Sequence, residues 1–503
     1  MTTPEPPSGA RAATIARGST YAFLGLGGGA VLQFVYNVVM ARAYGAAGVG
    51  AFAFGLSIAT IAATVGQLGT QEALLRYGAA YRGTADVRLQ RGLLGLGFGV
   101  GIAGAALAGV VLGLSSDWIA RLAGKPEAAA MLLAFAVSVP FMGIIRLASA
   151  SLQGAKRLDL SSLMSEVGRP VAVLVALCVG IALTLSIDKV MAVYVVATAG
   201  VALGGLAAVA HVYRAAMRTD PAYSAREWAR FVGPVMLLDL FRSSTAWTDT
   251  LLLGFTASSE EVGVYFAALR VALVITLPLA AFNAVLAPIA AELWHKQDVN
   301  GLRSAFRTAT RWTLTAVLPL GVLAAILRDE IMSVFGAEFA AAGGGLVLLL
   351  LIVGRVVNGA TGGVGRLLIM TGNERVELVN TVIWSALVVT LMLLVVPRYG
   401  MVGAALVTGG VIAFMNVLKL IQVRWIVGIQ PYDWTYLKPL AAAAASALVG
   451  MAADVGLAST PSVGRAVAVS LLVAATYIGT LWTLRLDDDD RMILDLLRKR
   501  LGR

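Results

Sequence analysis

Runs of about 20 apolar residues, separated by short polar loops, recur from one end of this 503-residue chain to the other. A helix of that length crosses the roughly 30 Å hydrocarbon layer of a bilayer, where only helices and closed barrels satisfy their own backbone polar groups. The runs fall near 19–41, 48–68, 92–113, 128–151, 163–185, 190–210, 232–255, 262–290, 308–327, 342–369, 376–396, 401–423, 437–457 and 464–484. They predict an all-α polytopic membrane protein of about fourteen transmembrane helices. Apolar residues make up 59% of the chain and charged ones 13%, against roughly 45–50% and about 25% in soluble domains. A water-soluble enzyme is excluded.

Basic residues are retained on the cytoplasmic side of a membrane. With the N-terminus placed inside, the inner segments hold 25 Lys and Arg and the outer ones 7, so both termini are expected in the cytoplasm. Residues 1–13 are polar and Pro-rich and show no signal-peptide core. The net charge of +11 is then mostly topology, and no nucleic-acid partner is inferred. One cysteine, Cys178, and two histidines, His211 and His295, supply no metal or haem constellation.

The chain repeats itself. Val49-Gly50-Ala51-Phe52-Ala53-Phe54 is echoed by Val262-Gly263-Val264-Tyr265-Phe266-Ala267. Trp118 to Gly124 is echoed by Glu330 to Gly336, and Gln153 to Arg157 by Thr371 to Arg375, all about 212–218 residues apart. A unit of six spans begins and ends on one side, so its copies are related by an axis along the membrane normal. The expected organisation is a disordered start (1–16), an N-terminal six-helix lobe (17–210), a basic cytoplasmic linker (211–230), a second six-helix lobe (231–427), two further helices (428–485) and an amphipathic tail (486–503). Pieces at 71–82 and 224–231 are expected to lie along the inner surface, where anionic lipid attracts arginine.

Ionisable residues inside spans cost about 2.5–3.5 kcal/mol each on insertion scales and face a cavity or a partner. They are Arg146, Glu166, Arg169, Asp239, Arg242, Asp249, Arg270, Arg355, Arg366 and Lys419, with positive charge in excess. Asp239, Arg242, Ala246 and Asp249 form one stripe at helical spacing, as do Arg355, Gly359, Gly362 and Arg366. Arg242 and Arg355 both fall near mid-membrane, where a positively lined chamber is expected. The plainer alternative pairs Asp239 with Arg242 and Glu166 with Arg169, lets Arg169, Arg366 and Lys419 reach the nearby surface, and has Asp249 steady the following loop. Gly99-Val100-Gly101-Ile102-Ala103-Gly104 has the form of a dinucleotide fingerprint but lies inside a span, where it reads as a packing face. The Asp487 to Asp490 run reads as the capped start of the tail helix. Pro140, Pro170, Pro278 and Pro319 lie within spans and are expected to bend them.

Asp249-Thr250-Leu251-Leu252-Leu253-Gly254, Glu261 to Arg270 and Pro288-Ile289-Ala290, with Arg17-Gly18-Ser19 and Ala41 to Gly45 near the start, resemble the Wzx-type polysaccharide and O-antigen flippases of the multidrug/oligosaccharidyl-lipid/polysaccharide (MOP) exporter superfamily. The resemblance implies two pseudo-symmetric lobes plus two helices around a central cavity, in a bacterial inner membrane. It also implies a transporter, not an enzyme, that moves an undecaprenyl-diphosphate-linked oligosaccharide to the outer leaflet by alternating access. Partners would be that lipid-linked sugar, membrane lipid and the polysaccharide polymerase or export machinery; the glycan would be a lipopolysaccharide or exopolysaccharide repeat. Arginine pairs with phosphate in bidentate fashion, so Arg242 and Arg355 are the expected principal contacts and Arg146 and Arg270 the secondary ones. No cofactor or metal is expected; coupling would be to membrane potential, H+ or Na+. Tyr21 to Tyr36 carries no charge, unlike the first helix of lipid II flippases. The alternative is a cation-coupled multidrug exporter, with Asp239, Asp249 or Glu166 titrating.

Overall fold

The computed structural model describes residues 8–484, with side chains from residue 27 onward except at 234, 237, 238, 242–245 and 288. The elements among the described residues are all helical. Eleven helices there are long and apolar enough to cross a membrane. The backbone divides into two compact units, 1–266 and 267–503.

In the first unit, α1 (Ser8–Gly66) carries the first two expected spans and bends between them at Gly45, φ 68° and ψ −178°, a conformation that only glycine adopts cheaply. The helix begins at Ser8, inside the stretch expected to lack structure, because Ala10, Ala12 and Ala13 are strong helix formers. Residues 1–7 and the tail from 485 on, with Asp487 to Asp490, lie outside the described residues. The short α2 (Thr70–Gly83) is amphipathic: Thr70, Ala73, Leu74, Tyr77, Gly78 and Tyr81 are buried while Arg76 and Arg82 are exposed. Next, α3 (Val87–Leu122) starts on Asp86, whose carboxylate accepts the backbone N–H groups of Arg88 at 3.1 Å and Leu89 at 2.9 Å. The glycine run in α3 is a packing face. A Cβ at Gly104 would overlap the Gly66 carbonyl oxygen, and one at Gly101 would lie 2.6 Å from Thr70 Oγ1.

Helix α4 (Ala129–Gly154) contains Pro140 and packs on α3 and on α7 (Ile187–Val212). Between α4 and α7, the fifth expected span is broken into α5 (Leu158–Ser162), a π-helical turn over Leu163–Gly168, and α6 (Arg169–Ala182), with Pro170 in the first turn of α6. The expected linker is partly helical: α8 (Arg214–Met217) precedes residues 218–224, and α9 (Ala225–Thr256) begins inside it. The divide between the units falls at 266, not at this linker, because α9 packs along α1 and α2.

The eighth expected span, 262–290, is likewise two helices, α10 (Ser259–Val274) and α11 (Leu277–His295), with Pro278 opening the second. Proline fits the first turn of a helix, where its missing N–H is no loss; Pro170 and Pro278 therefore restart helices while Pro140 and Pro319 lie inside theirs. The second unit continues with α12 (Val299–Ile326), α13 (Arg328–Phe335), α14 (Ala337–Ala341), α15 (Gly344–Thr361), α16 (Val364–Met370) and α17 (Glu374–Ile426). The last of these also carries two expected spans and bends at Gly400, φ 53°, three residues after Pro397. Finally α18 (Leu437–Gly456) and α19 (Ser462–Thr483) pack on each other and on α12. Arg465 on α19 ties this pair to α13 by an ion pair with Glu330 and lies 3.4 Å from Asp454.

Leu107, Val111, Leu394 and Leu471 are each more than half exposed. Apolar area of that extent, spread over helix exteriors, is suited to lipid tails.

Candidate functional site

Inside the first unit, charge gathers around Arg146 on α4. Its Nε donates to Gln71 Oε1 at 3.0 Å and its Nη1 to Thr64 Oγ1 at 2.5 Å. Asp239, Arg169 and Glu72 are close enough to act on its charge. Of the residues singled out from sequence, Arg146, Arg169 and Asp239 are thus brought together from α4, α6 and α9. Thr64 and Gln71, uncharged and therefore passed over, supply the fixed acceptors. A guanidinium so held leaves part of its donor set for a guest anion. Arg242, on the same helix as Asp239, has its side chain outside the described residues.

Glu166 lies in the π-helical turn, half-buried, and its Oε1 accepts from Ser165 Oγ at 3.1 Å. The backbone there is approached closely by α1: a Cβ at Gly29 would stand 2.6 Å from the Glu166 carbonyl oxygen. Single π-helical turns concentrate at functional sites because they leave local backbone groups less regularly bonded.

Asp249 is buried at the far end of α9. Its Oδ1 accepts from the Thr250 backbone N–H at 2.6 Å and the Thr250 hydroxyl at 3.2 Å, and its Oδ2 accepts from the Tyr265 hydroxyl at 2.7 Å. Those bonds tie α9 to α10. Around them the unit is closed. Phe54 packs edge-on against Phe255, ring centroids 5.2 Å apart, and its ring covers Gly254. Gly50 and Gly263, equivalent positions of the internal repeat, meet backbone to backbone. A Cβ at Gly50 would overlap the Ser259 carbonyl, and one at Gly263 the Ala46 carbonyl. Lys125, buried in the loop between α3 and α4, donates to the Gly254 carbonyl at 2.7 Å and stands 5.3 Å from the Phe54 ring centre. Burial pushes its ammonium down to about 8, against the opposing pull of Glu127 and Glu261.

In the second unit, Arg270 on α10 and Arg355 on α15 are half-buried. Close packing flanks Arg355: a Cβ at Gly354 would stand 2.5 Å from the Gly409 carbonyl oxygen, and one at Gly359 2.9 Å from Val317. The stripe expected to run from Arg355 to Arg366 does not persist. The helix breaks at Gly362, φ 70° and ψ −156°, so Arg366 belongs to the separate α16. The break is seated against α12 and α11, since a Cβ at Gly362 would overlap Thr310 and one at Gly363 would overlap Asn283. Lys419 pairs with Glu377 at 2.5 Å, both half-buried, instead of reaching for the surface. Next to it Asn380 and Gln422 exchange two amide hydrogen bonds, 2.6 and 2.9 Å. With Lys419 set aside, the ionisable residues singled out from sequence are six positive and three negative, which still favours an anionic guest.

A bundle of long apolar helices, bent at glycines and carrying arginines within its spans, is a multi-pass membrane protein with the fold of the MOP-superfamily transporters. It resembles the lipid II flippase MurJ in an inward closed conformation, with a TM-score of 0.66 over 91% of this chain and 98% of that one at 14% identity. A multidrug resistance MATE family transporter of the MOP superfamily, in an inward-facing conformation, gives 0.60 over 80% and 94% at 15% identity. The family model for polysaccharide biosynthesis proteins matches residues 15–294, more than half of the chain, and the chain belongs to that family. Among curated relatives, the probable flippase AglR of Haloferax volcanii is 28% identical over 217 residues, 40% of this chain and 43% of AglR. The probable low-salt glycan biosynthesis flippase Agl15 of the same organism is 27% identical over 176 residues, 34% of this chain and 36% of Agl15. The matched stretch is less than half the length of either relative.

Proposed function

We propose that the protein is a flippase for a lipid-linked glycan, carrying an undecaprenyl-diphosphate-linked polysaccharide repeat unit from the cytoplasmic to the outer leaflet. The observation that carries this reading is the match to the polysaccharide biosynthesis family over residues 15–294, which contains most of the charged residues discussed above. The excess of arginine over carboxylate inside the spans agrees with it, because a diphosphate is dianionic or more and arginine binds it in bidentate fashion. In this reading the chain crosses the membrane fourteen times with both termini and the basic loops in the cytoplasm. Arg242 and Arg355 are the principal phosphate contacts, with Arg146 and Arg270 secondary. The closed end around Gly50 and Gly263 faces outward and must part for release.

Moving an anion outward across an inside-negative membrane gains about 2.3 kcal/mol per charge per 100 mV, so the potential alone can drive the step. The alternative reading, a cation-coupled exporter, would use Asp239, whose charge acts on Arg146. A proton or Na+ on that carboxylate would release the arginine.

The test is the lipid-linked oligosaccharide pool of cells lacking the gene, read by mass spectrometry and complemented with the wild type or with Arg355→Ala and Arg242→Ala. Accumulation of one undecaprenyl-diphosphate species, cleared by the wild type and not by the double variant, is the expected result. An unchanged pool with altered drug sensitivity would establish the exporter instead. A transport rate in vesicles that collapses with the pH gradient while the potential is clamped would reject the potential-driven step.

A further inference from the structure

At the end of the first unit opposite the Gly50–Gly263 closure, a cleft of about 660 Å³ opens between α2 and the start of α9, lined by Arg76, Tyr77, Tyr223, Arg226, Arg230 and Phe231 among others. Three guanidinium groups from two elements converge on it against one carboxylate, Glu227. That carboxylate is exposed on the rim and lies close enough to the buried Tyr77 hydroxyl to act on its charge. Arg76 is positioned rather than loose: its guanidinium stands 4.6 Å from the Phe231 ring centre and 5.7 Å from that of Tyr77. Behind them Trp228 donates to the Tyr81 hydroxyl at 2.8 Å, locking the two helices together. The cleft therefore has a rigid aromatic floor and a cationic rim.

Its depth in the membrane follows from helix length. The 32 residues of α9 span about 48 Å at 1.5 Å per residue, well beyond the roughly 30 Å of hydrocarbon. Ala225 to Arg230 carry two arginines and a glutamate, while the continuous apolar run begins with Phe231. With α9 read as the seventh span, that first turn and a half would stand in the headgroup layer, level with lipid phosphates. The neighbouring Arg82, Arg88, Arg214 and Arg218 are exposed at the same end of the unit, with Arg91 half-buried beside them.

We infer that this cleft binds the phosphate of a membrane lipid, the arginines taking the phosphate oxygens and the aromatic floor taking the apolar neck below them. Two sources share that chemistry, a polyprenyl diphosphate and a bulk anionic phospholipid. The inference goes beyond the transport reading and does not need it: binding is read without turnover. A chain that retains lipid phosphate but moves no glycan lipid would fail only the earlier proposal.

The experiment places the full chain in phosphatidylcholine nanodiscs doped with undecaprenyl diphosphate or with phosphatidylglycerol, and reads retained lipid by native mass spectrometry. The double variant Arg76→Gln with Arg230→Gln is expected to lower retention at least about tenfold, which is 1.4 kcal/mol. Arg226→Glu, at an exposed position, is expected to do the same without touching the aromatic floor. Lys296→Gln, an exposed lysine of the second unit, should change nothing. Preference for undecaprenyl diphosphate would make the cleft a receiving site for the cargo, and equal retention of both would make it a docking site for bulk lipid; either supports the inference. It is overturned if the cleft variants retain both lipids as the wild type does, or if inorganic diphosphate displaces them completely at equal concentration.

Discussion

The two ends of the first unit are made of opposite materials. At one, glycine backbones touch, Phe54 and Phe255 interlock, and the lysine present is buried against a carbonyl. At the other, arginines line an open cleft over a floor of aromatic rings. The first arrangement is intolerant of added atoms, because backbone cannot yield as a side chain can. The second tolerates substitution and responds to charge. In the flippase reading proposed above, the first end would seal by shape and the second attract by charge, and the contrast can be tested residue by residue.

The largest effect is expected at the seal. Gly50→Leu or Gly263→Leu would force apart backbones now in contact, a cost at or above the ~3 kcal/mol upper range of ordinary overpacking. In a Cys178→Ala background, which removes the free cysteine, the pair Ala46→Cys and Ser259→Cys should cross-link readily. Adding either leucine should abolish the cross-link, and an unchanged yield would mean that the glycines do not set the seal.

Next comes Lys125→Met, which leaves the Gly254 carbonyl without its charged donor and should cost about 1.5–3 kcal/mol. The same lysine makes a pH prediction. Its folded value is about 8, while in the unfolded chain it titrates near 10.4. Between those values the unfolded chain holds a proton that the folded one has released, so stability rises with pH across that window. The melting temperature of the wild type relative to Lys125→Met should accordingly climb from pH 7 to pH 10. A flat difference would place the ammonium in water.

A smaller loss is expected from Glu377→Gln. It strands Lys419 and should destabilise the second unit by about 1–3 kcal/mol, with part of that recovered in the double variant Glu377→Gln with Lys419→Met. Smallest of all, Arg226→Gln in the open cleft should leave the melting temperature unchanged while lowering lipid retention. A large drop in stability there would show that the cleft is structural.

Much of this architecture is legible in the sequence because hydropathy reports spans directly, and the ionisable residues inside them stand out by their cost. What it hides is how spans join and break. Two pairs of spans run on as single bent helices at Tyr44-Gly45 and Tyr399-Gly400, a shared dipeptide whose meaning depends on a backbone angle that apolar periodicity does not register. The break at Gly362 is equally silent, since its cause lies in Thr310 and Asn283, far along the chain. Polar partners were missed for a related reason. Thr64 and Gln71 carry no charge, yet they hold Arg146 from 82 and 75 residues away. Glu377 stands at the edge of its apolar run, where a carboxylate looks solvated until the turn at Gly400 brings Lys419 back beside it.

The Gly50–Gly263 contact also bears on how such a chain can change over time. These residues stand at matching places in the sequence echo of Val49–Phe54 and Val262–Ala267; if that echo is a duplication, then in an ancestor made of two separate half-chains each would have faced its own twin. A self-facing position is the most restrictive in a symmetric assembly, because every mutation there arrives twice. Fusion of the halves lifts that constraint: one glycine can in principle enlarge if its counterpart's surroundings recede. Pairwise compensation between 50 and 263 is therefore the historical trace to look for among relatives, and a selection experiment starting from Gly50→Ala should find its suppressors near Gly263 before it finds them anywhere else.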